Sequence, residues 1–147
     1  MRSSNYKTAL VAFQNAMDLS KNDPLIYNEI GVVHYKQKNY EEAKDYFIEG
    51  IKLCSEDDIS RTYQTLMINL AHTYRYMKKF KEAIEIYMKL YYIDSKNVDV
   101  LNGIGTILCI LGKFNYALDF FHQANFILSN DSYAITMINK CINEMNI

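Results

Sequence analysis

The sequence predicts an all-α solenoid, in which short helices pair into hairpins and the hairpins stack in line as a right-handed superhelix. Three observations lead there. Small residues flanked by aromatic ones return at nearly constant intervals, and apolar residues recur with the period of a helix face. No stretch alternates apolar and polar residues long enough for a half-buried strand. Half of the 147 residues are apolar, so a sizeable core can be buried.

The recurring unit is an alanine with an aromatic residue one helical turn later: Ala9 with Phe13, Ala43 with Phe47, Ala83 with Tyr87 and Ala117 with Phe121. The alanines are spaced by 34, 40 and 34 residues, and each follows an aromatic three positions upstream, at Tyr6, Tyr40, Phe80 and Phe114. An upstream element repeats as well: Ile30-Gly31 with His34, Leu70-Ala71 with Tyr74, and Ile104-Gly105 with Leu108. Small residues at such places let two helices approach closely while the rings fill the space alongside. A period of 34 with these landmarks is that of the tetratricopeptide repeat (TPR).

The period sets out one TPR domain over residues 1–147. It comprises a half repeat (1–23), three complete repeats (24–57, 58–97 and 98–130) and a C-terminal capping helix (131–147). Helices are expected near 6–19, 24–37, 40–53, 58–77, 80–93, 98–111, 114–128 and 132–145. Pro24, the only proline, suits a first helical turn with Asp23 as its N-cap. Asp57 or Asp58, Ser95 or Asn97, and Asn130 or Asp131 are candidate caps for later helices. The extra six residues of the long interval fall near Cys54–Ser60. The last helix carries Asn139, Lys140, Asn143, Glu144 and Asn146, a polar side suited to a cap. The first helix lacks an upstream partner for part of Leu10, Val11, Phe13 and Met17. It is therefore expected either to continue a longer solenoid or to pack on another chain.

Charge and chemistry narrow the function. A formal net charge of −1 gives no basic field for nucleic acid or an anionic membrane, and the longest apolar run, around Ile104–Leu111, is too short to span a bilayer. The opening Met1–Asn5 is polar, so no signal peptide is expected there. Cys54, Cys109 and Cys141 make no CxxC pair and are read as reduced core residues, which fits the nucleus and cytoplasm. His34, His72 and His122 lie in different repeats without the spacing of a zinc site, so no metal and no cofactor are expected. Gly103, Gly105, Gly112 and Lys113 imitate a phosphate loop, but Phe114 stands where Ser or Thr is required and the segment reads as helix. These are packing glycines. No catalytic residue is expected.

The residues between the landmarks are more particular. Tyr27-Asn-Glu-Ile-Gly-Val-Val33, Asn69-Leu-Ala-His-Thr-Tyr-Arg75, Lys78-Lys-Phe-Lys-Glu-Ala83, Leu111-Gly-Lys-Phe-Asn-Tyr-Ala-Leu-Asp-Phe-Phe-His122 and the closing Asp131–Ile142 segment resemble the C-terminal TPR array of the sixth subunit of the anaphase-promoting complex, a cell-cycle ubiquitin ligase. The resemblance implies a non-catalytic scaffold. It also implies other subunits of that complex as partners, among them a small subunit that lies as an extended peptide in the groove of the array.

In a TPR stack the first helix of each hairpin lines the concave face. That projection selects Asn28, Val32, Tyr35 and Lys36, then Ile68, Asn69, His72 and Arg75, then Asn102, Thr106 and Cys109. Asparagine amides offer both a donor and an acceptor to a peptide backbone, and Tyr35 adds apolar area with a polar tip. The same face weighs against a co-chaperone clamp for acidic tails, because Asp99 would repel a carboxylate. Two alternatives stay open at this point: the TPR arm of a larger enzyme such as a protein O-glycosyltransferase, and a free-standing TPR adaptor.

Overall fold

The structure, a computed structural model, describes residues 2–55 and 60–146. The described residues form eight α-helices and no strand: α1 (Arg2–Leu19), α2 (Pro24–Lys36), α3 (Tyr40–Lys52), α4 (Arg61–Tyr76), α5 (Phe80–Ile93), α6 (Val98–Ile110), α7 (Phe114–Ile127) and α8 (Ser132–Met145). Helix α1 starts at Arg2, earlier than the apolar pattern implies. Helix α4 starts later, and the caps proposed at Asp57 and Asp58 lie outside the described residues. Ser60 caps α4, its hydroxyl accepting from the Tyr63 amide at 3.2 Å.

The other caps follow the local chemistry. The Asp23 carboxylate accepts from the Leu25 amide at 2.9 Å, with Pro24 in the first turn, where its missing N–H costs nothing. Asn97 accepts from Val100, and Asp131 accepts from Tyr133. Asn130, the other candidate at the last helix, instead takes a left-handed conformation with φ 68°.

The chain divides into two compact units, Met1–Lys79 and Phe80–Ile147. In the first, α2 and α3 form a hairpin, α4 packs on both, and α1 lies on α2. In the second, α6 and α7 form the hairpin, α5 packs on α6, and α8 packs on α7 and α6. The division falls within residues 58–97, the segment that the period sets out as one repeat.

The same contact recurs inside each unit. The Phe47 ring lies where a Cβ on Gly31 would be, 2.5 Å from the nearest ring carbon, and Phe121 covers Gly105 in the same way at 2.8 Å. Tyr87 lies 2.5 Å from the corresponding point of Gly103. All three rings are fully buried. Around Phe121 pack Ala117, Cys109 and Cys141, with Leu108, Phe114, Met137 and Ile138 alongside. A second cluster joins Leu101, Ala124 and Ala134. The glycines of the false phosphate loop are thus occupied by packing, apart from Gly112, which sits in a turn with φ 76° and open space around it.

That turn is shared. Lys38 and Lys78 hold the position of Gly112, with φ of 63° and 62°. The following amide reaches back across the helix end in each case: Asn39 to the His34 carbonyl, Lys79 to Tyr74 and Lys113 to Leu108, at 2.8–2.9 Å. This is the Schellman closure of a helix C-terminus, for which glycine is the unstrained residue.

The terminal helices are less well covered. On α1, Val11 is 62% exposed, while Leu10, Phe13 and Met17 are half-buried. The polar residues expected on α8 are exposed, but Ile135 and Ile142 also remain more than a third open.

Two substitutions test this account by urea denaturation. Gly31→Ala gains about 1 kcal/mol of helix propensity but meets the Phe47 ring, and overpacking costs about 1–3 kcal/mol. The variant is expected to be less stable. Lys78→Gly relieves a left-handed side-chain clash of about 1–2 kcal/mol, partly offset by the entropy of glycine, and is expected to be more stable.

Candidate functional site

The candidate residues fall into two groups, one in each compact unit. In the first unit, α2 supplies Asn28, Val32, Tyr35 and Lys36, and α4 supplies Ile68, Asn69, His72 and Arg75. Helix geometry places Asn28, Val32 and Tyr35, and likewise Asn69, His72 and Arg75, about one turn apart along their elements, and α2 packs against α4. Val32, Tyr35, Ile68, Asn69, His72 and Arg75 are half-buried, Lys36 is exposed and Asn28 is buried.

Two of the asparagines meet each other. The Asn69 amide donates to the Asn28 carbonyl oxygen at 2.8 Å, and the Thr73 hydroxyl donates to the Asn69 backbone carbonyl at 2.7 Å. Asn28 is only 6% exposed, so its side chain is part of the α2–α4 contact as well as of the candidate face.

Further along, three tyrosines gather. The Tyr40 and Tyr76 rings stack at 5.6 Å with planes 11° apart, and Tyr35 presents its edge to both, also at 5.6 Å. The Arg75 guanidinium carbon lies 5.4 Å from the centre of the Tyr76 ring, within cation–π range. Burial and the neighbouring Tyr76 push the Tyr35 phenol above its usual range. Burial, aided by the Arg75 charge, lowers the pKa of His72 to about 4. At neutral pH the His72 imidazole on this face is therefore neutral.

Tyr76 and Tyr40 are absent from the sequence-derived set. A signal for Tyr76 existed: it stands one 40-residue interval after Lys36, which the projection did select. Tyr40 was read only as a repeat landmark. A smaller depression lies near the start of α4, lined by Leu25, Asn28, Glu29, Arg61, Thr62 and Thr65, with a volume of about 220 Å³.

The second unit treats its candidates differently. On α6, the Asn102 amide donates to the Asp131 carboxylate at 2.8 Å, and the Thr106 hydroxyl donates to the Asn102 backbone carbonyl at 2.7 Å while also meeting the Tyr133 hydroxyl. Asp131 caps α8 and Tyr133 lies in its first turn, so both α6 residues hold the beginning of α8. The Asn102 side-chain oxygen is buried without a partner. Cys109 is buried against Cys141.

The remaining histidines lie away from these groups. His34 stacks on Tyr46 of α3 at 5.4 Å, with Nδ1 buried and unpartnered, and His122 is exposed. Among the described residues no group of three His, Cys, Asp or Glu side chains converges as metal ligands would, and no helix is long and apolar enough to cross a membrane.

Hairpins closed by ring-on-glycine contacts, with polar residues on their first helices, define a class of repeat protein. The chain belongs to the tetratricopeptide repeat family, whose models match residues 23–96 and 2–38. Within that family it is homologous to the sixth subunits of the anaphase-promoting complex. It is 29% identical over 142 residues to the human cell division cycle protein 16 homolog, covering 95% of this chain and 23% of that protein. It is 31% identical over 142 residues to anaphase-promoting complex subunit 6 of Arabidopsis thaliana, covering 97% of this chain and 26% of that one. The chain thus spans about a quarter of the length of these relatives. Its fold matches a chain of the APC/C hetero-tetramer Cut9–Hcn1 with a TM-score of 0.86, at 22% identity over 97% of this chain and 28% of that chain. A shorter match, 29% identical over 87 residues, relates 59% of this chain to 9% of human protein O-mannosyl-transferase TMTC3.

Two measurements follow from the first face. Asn69→Ala leaves the Asn28 carboxamide buried without its partner and is expected to cost about 1–3 kcal/mol. Adding Asn28→Ala should cost less than the two single losses combined, which a double-mutant cycle reads directly. His72 binds its proton less readily folded than unfolded, so its contribution is complete above pH 6.5 and is lost as pH falls toward about 4. His72→Gln should flatten the stability–pH curve across that window in denaturation series.

Proposed function

We propose that this chain is a non-catalytic scaffold segment of an anaphase-promoting-complex sixth subunit, and that the α2–α4 face of its first unit docks an extended segment of another subunit. The observation that carries the first part is homology to such subunits over 95% of the chain, candidate face included. The chain shares the fold of part of one chain in the Cut9–Hcn1 hetero-tetramer, an assembly of two kinds of subunit, which supports a second subunit as the occupant. The TMTC3 match is shorter and supports the arm of an enzyme less well.

The chemistry of the face favours a peptide. Val32 and Ile68 offer apolar contact, the tyrosine group offers rigid aromatic area, and Asn69 and neutral His72 offer hydrogen bonds without charge. Arg75 adds a cation resting on an aromatic ring. Asn102 and Thr106 have another part in this reading: by holding Asp131 and Tyr133 they set the position of α8. Work in the nucleus and cytoplasm follows from the role.

Capture from dividing cells on the purified chain, with the bound proteins identified by mass, is expected to recover other subunits of the complex. Val32→Glu places a charge on the face at a half-buried position whose native side chain makes no hydrogen bond. It should reduce that capture about tenfold, the effect of losing a modest interface contact, while circular dichroism stays unchanged. Capture that yields no subunit of the complex overturns the assignment. Full capture by a folded Val32→Glu chain overturns the docking face alone.

A further inference from the structure

Cys109 on α6 and Cys141 on α8 are the pair whose chemistry the scaffold role leaves unused. Their sulfurs face each other at 2.8 Å across the contact between the two helices, 32 positions apart in sequence. Both are free thiols inside the cluster around Phe121, Cys109 8% exposed and Cys141 fully enclosed. One buried cysteine is simply a small apolar side chain. Two that meet sulfur to sulfur from separate helices can also be joined, because the helices are already packed and neither needs to be carried to the other.

We propose that Cys109 and Cys141 form an oxidation site, a dithiol that hydrogen peroxide converts to a disulfide tying α8 to α6. Cys109, the more open of the two, reacts first. Its thiol gives up a proton, the thiolate attacks one peroxide oxygen, the O–O bond breaks, the departing hydroxide takes up that proton as water, and Cys109 becomes a sulfenic acid. The Cys141 sulfur then attacks the Cys109 sulfur, and the S–O bond breaks. The departing hydroxide takes the Cys141 thiol proton and leaves as water. Two thiols and one peroxide thus yield one disulfide and two waters, the sulfurs losing the two electrons that the peroxide gains. Peroxide suits the site because it is small, whereas a bulky disulfide oxidant could not reach Cys109 without displacing α8.

The surroundings set the threshold. Burial, and then the Cys141 sulfur, push the Cys109 thiol up to about 12. Lys140 acts against that rise and Glu144 with it. Thiolate is scarce at neutral pH, so the pair stays reduced under mild exposure and responds to a heavy oxidant load. Closure would also complete the attachment of α8. Its start is already held by the Asn102–Asp131 and Thr106–Tyr133 contacts, and the disulfide would fix its second half.

The test treats the folded chain with hydrogen peroxide, quenches, and alkylates the remaining thiols after unfolding. The expected result is the loss of the Cys109 and Cys141 thiols together, whatever becomes of the more exposed Cys54. A non-reducing peptide map should join the Cys109 and Cys141 segments, amide exchange in α8 should slow several-fold, and dithiothreitol should reverse all of it. Cys54→Ser should leave the cross-link intact and Cys141→Ala should abolish it. If Cys141→Ala does not fold, the map of the Cys54→Ser chain decides by itself. Finding Cys109 and Cys141 still as thiols once Cys54 is oxidised, or as separate sulfinic acids, or either one joined to Cys54, overturns the proposal.

Discussion

A ring lying on the bare backbone of a neighbouring helix is the contact from which the rest of each unit is built. Phe47 on Gly31, Phe121 on Gly105 and Tyr87 on Gly103 bring their helices closer than two ordinary side chains would permit. Because the rings are fully enclosed, each contact removes a large apolar area from water. It also fixes the rotation of both helices about their axes, since a ring can seat only where the side chain opposite is missing. With the rotation set, the residues one turn above and below have no choice of direction. Tyr35 follows from Gly31 and Cys109 from Gly105, each one turn further along its helix, Cys109 within the cluster around Phe121.

The candidate face in the first unit is best understood as the other side of that packing. The α2–α4 contact needs polar pairing where asparagines are enclosed, and the Asn69–Asn28 bond supplies it. A residue can therefore serve the fold and a ligand together, and a loss of binding in an Asn69 variant is informative only beside its stability. The tyrosine group is less entangled. Tyr76 is 53% exposed yet held by stacking on Tyr40, so under the proposed docking role the aromatic surface would be ordered before a partner arrives and little entropy would be lost in using it.

The second unit has comparable residues with different employment. Asn102 occupies the place of Asn28 in the repeat, but its amide is taken by Asp131, the residue that caps α8. Thr106 and Tyr133 add a second tie. Equivalent positions in a repeat thus share an orientation without sharing a task, because the neighbour they face differs. Homology to sixth subunits of the anaphase-promoting complex describes the array as a whole and does not assign these individual roles.

How much was legible beforehand depends on the range of the interaction. Periodicity along the chain revealed the helices and the small–aromatic pairs, since a helix face repeats at a fixed step and a close approach excludes any bulky residue. The cap at Asp23 was readable for the same local reason, while Asn97 and Asp131 were each one of two candidates between which the structure decided. What the sequence could not disclose was which side chain meets which across two helices: Asn69 with Asn28, Asn102 with Asp131, Tyr76 with Tyr40, and the sulfur of Cys109 with that of Cys141. Those pairings depend on axial shift and rotation between helices far apart in the chain, quantities that no spacing records. Sequence alone therefore determined the all-α repeat and its close-packed positions. Only tertiary packing decided which polar and sulfur groups are shared between helices and which remain open to a partner.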